Sequence, residues 1–189
     1  SKFGGNNKYG YFPSFSLGWK ITEEAFMKNS IFSNLKLRAG WGQTGNQEIE
    51  PKITLPSYTA SVSSSTSYPL TGTGNYPSGL TYRRLANSDI QWEVSTQTNV
   101  GLDFGLFKGR LNGSIDLFNK NTNNILLSVI PFDPSVPAAS VWTNVKNMNI
   151  NNKGLEIDLE YRVNNDKGFR YSVGGNLTLL SNKVTNSPY

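Results

Sequence analysis

Residues 92–104 alternate between apolar and polar side chains with almost no errors, and this alternation constrains the fold more than any other feature. One set is Trp92, Val94, Thr96, Thr98, Val100, Leu102 and Phe104, and the other is Glu93, Ser95, Gln97, Asn99, Gly101 and Asp103. A strict two-residue period predicts a β-strand with one apolar and one polar face. About 13 residues at roughly 3.3 Å each, tilted by about 45°, rise about 28 Å, close to the thickness of a bilayer's hydrocarbon core. The segment is therefore long enough to be one strand of a transmembrane β-barrel.

The same alternation recurs along the chain, which predicts an all-β protein with about six antiparallel strands. They cover residues 15–19, 35–42, 92–104, 111–118, 155–163 and 169–179. Residues 43–91 and 119–153 form long connections, whereas the turns near Lys108 and at 164–168 are short. Long loops at one end and short turns at the other are typical of an outer-membrane up-and-down barrel, whose loops are extracellular and whose turns are periplasmic. Because membrane barrels have at least about eight strands, we expect residues 1–189 to be a segment of one larger barrel domain.

Several local features refine this interpretation. Thr22 followed by two glutamates predicts a short helical turn capped by Thr22. Trp19 and Phe104 are expected near the periplasmic boundary, and Trp41 and Trp92 near the outer one, as aromatic girdles. The Asn-rich runs at 119–124 and 144–152 are expected to be turns, because Asn tolerates left-handed backbone. The Pro-rich stretch 131–137 is not expected to be regular sheet.

The composition excludes several classes of function. The chain has no Cys and no His, so it has no disulfides, no Cys- or His-ligated metal site and no His-based catalytic triad. No apolar run approaches the roughly 18 residues of a transmembrane helix. The net charge of +5 comes from scattered Lys and Arg residues rather than from a patch, so no nucleic-acid partner is predicted. We expect neither an enzyme nor a cofactor.

Six short motifs, in order along nearly the whole chain, resemble the SusC/RagA family of TonB-dependent outer-membrane transporters. They are GYFPSFSLGW at 10–19, LKLRAGWGQTGN at 35–46, NSDIQWE at 87–93 with QTNVGLD at 97–103, DLFNKNT at 116–122, NKGLE at 152–156 and NKV at 182–184. The resemblance implies a barrel of about 22 strands with a plug in its lumen. It also implies a segment that lacks the plug, the TonB-contacting part and the final strands.

The resemblance further implies a function and partners. Members of the family import bulky nutrients, either glycans or peptides, across the outer membrane of Bacteroidota, with energy delivered by TonB. A SusD-like surface lipoprotein covers the extracellular side as a lid. The expected surroundings are outer-membrane lipid and lipopolysaccharide. The sequence distinguishes neither glycan from peptide nor an importer from a family member that acts only as a scaffold.

Loop aromatics are the first candidate binding residues. Tyrosine offers a flat contact area and a hydroxyl at low entropy cost, which suits a sugar ring or a protein partner. The candidates for contact with substrate or lid are Tyr58, Tyr68, Tyr76, Tyr82 and Trp142. The alternative is that these aromatics pack the loops against one another.

Polar residues on two predicted strands are the second group of candidates. The predicted lumen-lining residues are Glu93, Gln97, Asn99, Asp103, Glu156, Asp158, Glu160 and Arg162. Glu156, Asp158 and Glu160 share a face at intervals of about 7 Å, and paired carboxylates can hydrolyse glycosides. Their regular alternation with apolar residues and the nearby Arg162 favour a charge-paired lumen wall instead.

A soluble extracellular β-sandwich that binds carbohydrate is the competing interpretation. Its strands would also alternate, and it would explain the Tyr-rich loop. It would explain neither the asymmetry in connection lengths nor the ordered motifs.

Overall fold

The chain forms one sheet of eight strands in the computed structural model, which describes residues 2–3, 5–61, 79–131, 138–163, 168–185 and 187. The strands are β1 (Ser14–Lys20), β2 (Phe32–Asn46), β3 (Ser57–Ser61), β4 (Gly79–Arg84), β5 (Glu93–Leu106), β6 (Leu111–Val129), β7 (Ala138–Val163) and β8 (Tyr171–Thr185). Three short 3-10 helices span Gly5–Asn7, Ile21–Glu23 and Ala25–Met27. None of the helices in the described ranges is long and apolar enough to span a membrane.

Six long strands form the body of the sheet and confirm the predicted antiparallel arrangement. Neighbouring strands pair antiparallel in the order β1, β2, β5, β6, β7, β8. Two neighbouring register rows have opposite chemistry because side chains alternate along each strand. One row is Leu37, Leu102, Ile115, Ile157 and Leu177, and the next is Arg38, Gly101, Asp116, Glu156 and Thr178. We call the side of the first row the apolar face and the side of the second row the polar face.

The apolar face is uncovered in the described part of the chain. Leu17 is 76% exposed, Leu117 55% and Leu179 56%. A soluble sandwich would bury such residues against a second sheet, and a contiguous apolar surface of this extent marks contact with a membrane or a partner. The arrangement fits a part of a barrel and disfavours the sandwich.

Three of the four predicted girdle aromatics, Trp19, Trp41 and Phe104, lie within β1, β2 and β5, and their place at a membrane boundary stays a prediction. Trp19, at the end of β1, donates a hydrogen bond from Nε1 to Glu24 Oε1 at 2.9 Å, and Trp41 stacks on Phe15 with ring centroids 5.3 Å apart. Trp92 lies just outside the strands. It precedes β5 and stacks on Phe3 at 4.5 Å, within a cluster of loop residues.

The Asn-rich runs are strands rather than turns, which corrects the expectation for 119–124 and 144–152. Most of both runs extends β6 and β7, so the connection between these two strands shrinks to residues 130–137. Side-chain hydrogen bonds make asparagine compatible with the sheet: Asn149 Nδ2 donates to Asn123 Oδ1 at 2.8 Å. The left-handed tolerance of Asn is used only at Asn124 and Asn147, whose φ angles are +54° and +66° where the register shifts. Of the Pro-rich stretch, residues 132–137 lie outside the described residues.

Two smaller features also differ from expectation. The short strands β3 and β4 form a hairpin within the predicted loop 43–91, and β4 adds to β7 in parallel. Helical turns follow β1 as predicted, but their N-cap residues are Lys20 and Glu24, neither with a capping side-chain hydrogen bond. The Thr22 hydroxyl, the predicted cap, has no hydrogen-bond partner among the described residues.

Candidate functional site

The polar face carries all eight residues that the sequence assigned to a lumen. Gly101 on β5 pairs with Asp116 on β6, which pairs with Glu156 on β7, so the polar sets of these three strands lie on one side. The eight residues are Glu93, Gln97, Asn99, Asp103, Glu156, Asp158, Glu160 and Arg162. The structure brings them onto one wall, while their exposure to a transport lumen stays a prediction.

An ion-pair network on this face connects three strands. Arg38 on β2 donates from Nε and Nη2 to the two carboxylate oxygens of Asp103 on β5, at 2.9 and 2.8 Å. Nη2 also donates to Asp116 on β6 at 3.0 Å. All three side chains are about one-third exposed or less, and a bidentate guanidinium–carboxylate pair is stronger and more directional than a single hydrogen bond. The network therefore fixes the wall across β2, β5 and β6.

Glycines allow the polar side chains to lie flat against the wall. A Cβ on Gly101 would lie 2.7 Å from Arg38 Nη2 and would also collide with the Asp116 carboxylate. On the next row of the same face, a Cβ on Gly154 would meet the ring of Phe118 at 2.6 Å. Side chains from neighbouring strands therefore occupy the space that a side chain at these positions would need.

On β7 the structure separates a paired carboxylate from two free ones. Glu160 accepts a hydrogen bond from Arg162 at 2.8 Å, as the predicted charge pairing requires. Glu156 and Asp158 are exposed and have no hydrogen bond or ion pair among the described residues. Within the same ranges, no group of three or more carboxylates is placed to bind a metal ion. This part of the wall presents anionic hydrogen-bond acceptors.

A hydrophobic cluster packs the connecting segments at the end of the sheet where β2 ends and β5 begins, which we call the rim. Its buried members are Phe3, Ile49, Ile53, Ile90 and Leu126, with Trp92 and Trp142 packed against them. Trp92 Nε1 donates to the backbone oxygen of Asn7 at 3.0 Å, and Asn7 Nδ2 donates to Ile90 O at 3.1 Å. The rim is therefore an ordered platform rather than a set of independent loops.

Glu93 belongs to this rim and has structural partners. Its carboxylate accepts hydrogen bonds from Asn46 Nδ2 and from the Leu126 backbone N–H, both at 3.2 Å. The second bond satisfies a backbone donor just beyond the register shift at Asn124. Glu93 therefore joins β5 to the extended part of β6.

The predicted loop aromatics separate into three cases. Tyr58 and Tyr82 face each other across the β3–β4 hairpin with ring centroids 4.6 Å apart, and they are 51% and 37% exposed. A side-chain hydrogen bond to Tyr82 raises the pKa of the Tyr58 phenol. Tyr68 and Tyr76 lie outside the described residues.

Trp142 combines packing with access to a small cavity. It packs against the rim cluster, as the loop-packing alternative expects. It also lines a cavity of about 200 Å³ together with Arg83, Arg84 and three serines. The Arg84 guanidinium is held there by two hydrogen bonds. Nη1 donates to Glu50 Oε2 at 3.3 Å, and Nη2 donates to the backbone oxygen of Lys52 at 3.0 Å.

Sequence reasoning identified the polar face but missed Arg38, Asp116 and Arg84 as site residues. Alternation places Arg38 and Asp116 on the polar side of their strands. Their contact depends on the register between segments 65 and 78 residues apart in sequence. Nothing in the local pattern specifies that register.

A family model for the β-barrel of TonB-dependent receptors ("TonB dependent receptor-like, beta-barrel") matches residues 1–189. The chain is 35% identical to the TonB-dependent receptor SusC of Bacteroides thetaiotaomicron over 98% of its own length and 18% of that protein. It is 33% identical to the TonB-dependent receptor P39 of Formosa agariphila, over 97% of the chain and 17% of that protein.

Solved structures give the same result. The chain superposes on the RagAB peptide importer in its closed-closed state with a TM-score of 0.80 and 26% identity, covering 98% of this chain and 19% of that one. The open-open state gives a TM-score of 0.81 at the same identity. The chain thus spans less than a fifth of the length of the curated relatives named above. It belongs to the β-barrel family of TonB-dependent receptors, and within it to the SusC/RagA type.

Proposed function

We propose that the six long strands form part of the wall of an outer-membrane barrel that imports bulky nutrients, either oligosaccharides or peptides. The apolar face contacts lipid and the polar face lines the lumen. In this proposal, residues 1–189 are a segment of one barrel domain. The end with the rim is extracellular, because the longest connection between neighbouring strands of the body, residues 47–92 between β2 and β5, lies there.

The observation that carries the proposal is the partition of charge between the two faces of the sheet. All six acidic residues of the long strands lie on the polar face: Glu93, Asp103, Asp116, Glu156, Asp158 and Glu160. The other face presents rows of Leu, Ile and Val that are exposed over six consecutive strands. A lipid-facing surface excludes carboxylates because charge in hydrocarbon is costly, whereas a wet lumen accommodates them.

In the proposed mechanism no covalent chemistry occurs. A SusD-like lipoprotein and the rim enclose the substrate, and movement of the plug driven by TonB opens the lumen. Tyr58, Tyr82 and Trp142 contact the substrate or the lid, and Tyr68 and Tyr76 are assigned the same role. Glu156 and Asp158 offer acceptors to hydroxyl or amide groups of the passing substrate.

The test uses the full-length receptor that contains these strands, purified from outer membranes in detergent. We expect a surface lipoprotein to co-purify with it. We also expect a strain without the receptor to lose growth on one class of oligosaccharide or peptide, and an uncoupler of the proton gradient to stop uptake in the parent strain. A receptor found outside the outer-membrane fraction would exclude the proposal. An inserted receptor without a lipoprotein partner and without any uptake phenotype would exclude import but leave a scaffold role.

A further inference from the structure

The apolar face carries only two charged residues along the paired rows of the six long strands up to the register shift at Asn124, and both are lysines. Lys153 on β7 pairs with Ser181, and Lys183 on β8 pairs with Asn151. The two lysines are therefore diagonal neighbours on adjacent strands, with Cα atoms about 7–8 Å apart. Both residues are exposed.

No carboxylate in the part of the chain that the structure describes compensates these two cations. Every acidic residue of the long strands lies on the polar face. The ion pairs of the described residues join other lysines and arginines to their partners and include neither Lys153 nor Lys183. A pair of exposed, unpaired cations on an otherwise uncharged surface is complementary to a ligand with more than one negative group.

Asparagines beside the lysines form an ordered polar surface. Asn151 Nδ2 donates to Asn119 Oδ1 and to Asn121 Oδ1, both at 2.7 Å. These bonds link the amide of Asn151 on β7 to two amides on β6, beside the two lysines. The amide groups of Asn119 and Asn121 keep donors available for sugar hydroxyls or phosphate oxygens.

An apolar groove lies directly next to this polar surface. It is a shallow groove open to the surface, with a volume of about 690 Å³, and it crosses the border between the two kinds of residue. Val100, Leu117 and Leu179 line its apolar part, and Asn119, Lys153 and Ser181 line its polar part. The apolar part is on the side of the strands that leads toward the short turns, so it points into the bilayer.

We propose that Lys153 and Lys183 bind the phosphate groups of a lipopolysaccharide molecule in the outer leaflet, with one acyl chain in the groove beside Leu117 and Leu179. This inference rests on the proposed function, since it requires the apolar face to contact the outer membrane. A glycolipid with several phosphates fits two adjacent lysines and an amide surface. A phospholipid with a single phosphate satisfies only one of the lysines. Such a site holds an ordered lipid against β6, β7 and β8.

The test measures binding of purified lipopolysaccharide to the full-length, delipidated receptor in detergent by native mass spectrometry. We expect each of Lys153→Gln and Lys183→Gln to weaken the apparent Kd about fivefold, and the double variant about 25-fold, given the attraction of a basic side chain to an anionic lipid surface. Lys153→Arg with Lys183→Arg should retain most binding. Lys120→Gln is the matched control, because it removes one positive charge from the polar face of β6.

Three outcomes overturn the site. The Kd for lipopolysaccharide could be unchanged in the double variant Lys153→Gln with Lys183→Gln, or Lys120→Gln could weaken binding as much as that double variant does. The third is that the same substitutions weaken binding of phosphatidylethanolamine equally. Heat-modifiable migration of each variant on gels shows that the barrel is folded. Failure of the proposed function is distinguishable, because it appears as a wild-type receptor that is absent from outer membranes. If only the lipid site is wrong, the wild-type receptor is still found inserted in outer membranes.

Discussion

Arg38 and Asp103 form a bidentate ion pair across β2 and β5, with the guanidinium Nε and Nη2 at 2.9 and 2.8 Å from the two carboxylate oxygens. The same guanidinium reaches Asp116 on the far side of β5. One cation thus separates two carboxylates on adjacent strands. Without it, Asp103 and Asp116 would repel each other across a wall that is only partly exposed to water.

Replacing Arg38 by Met in the full-length receptor should therefore lower the free energy of unfolding. We expect a loss of about 1–2 kcal/mol, less than for a fully buried pair because the three side chains are partly hydrated. Thermal unfolding in detergent measures this loss. Arg162→Met is the matched control: its pair with Glu160 is more exposed, and its loss should be at most about 1 kcal/mol.

A second set of variants tests whether repulsion between Asp103 and Asp116 causes this loss of stability. Adding Asp103→Asn and Asp116→Asn to Arg38→Met removes the repulsion, so stability should recover in large part. No recovery would mean that Arg38 acts through packing of its side-chain carbons rather than through charge.

Gly101→Ala tests the flat arrangement of the polar face. The added Cβ would lie 2.7 Å from Arg38 Nη2 and would collide with Asp116, so the ion-pair network must shift. We expect a destabilisation of about 1–3 kcal/mol, the usual range for overpacking. Gly175→Ala, on β8, is the control, because its Cβ would meet nothing within 4 Å. Equal effects of the two substitutions would show that the space over Gly101 is not filled in solution.

The sequence predicted the six long strands because their two-residue period extends over enough residues to identify both faces. It did not predict β3 and β4, which are five and six residues long and lie in a segment rich in Ser, Thr and Gly. The pairing of β4 with β7 depends on contacts distant in sequence rather than on local pattern.

The extensions of β6 and β7 were mistaken for turns for a different physical reason. Asparagine favours turns because its side chain competes with the backbone for hydrogen bonds. Here Asn144 uses its amide to satisfy the backbone N–H and C=O of Gln91, and Asn151 bonds to two asparagines across the sheet. The side chains therefore stabilise the strands, and only the register reveals these partners.

The contact between Tyr58 and Tyr82 in the β3–β4 hairpin predicts a shifted titration. Because the bond to Tyr82 raises the pKa of Tyr58 above its ordinary value of 10.0, the bond stabilises the fold below about pH 10. That stabilisation should be lost as the pH rises through the raised pKa. Tyr82→Phe should lower the pKa of Tyr58, measured by the ultraviolet absorbance of tyrosinate with Tyr58→Phe to assign the signal. An unchanged Tyr58 titration in Tyr82→Phe would mean that the two hydroxyls are not bonded.

Leu155 and Glu156 provide a matched test of which face contacts lipid, because they are neighbours on β7 with side chains on opposite faces. Leu155 pairs with Leu117 and Leu179, within the apolar rows. The substitution Leu155→Lys would place a charge in hydrocarbon and should destabilise the receptor folded in the membrane by about 2–4 kcal/mol. Lysine at position 156 would stand on the exposed polar face beside Asp116 and should change stability by at most about 0.5 kcal/mol.

Denaturant titrations of the receptor folding into vesicles measure both values. Equal costs at positions 155 and 156 would contradict a lipid-facing apolar side. A larger cost at 156 would reverse the assignment of the two faces, and the lysine pair on the apolar face would then stand in the lumen. The expected order, with a large cost only at 155, requires hydrocarbon on the side of Leu155 and water on the side of Glu156. This is the condition on which both the transport proposal and the lipopolysaccharide site depend.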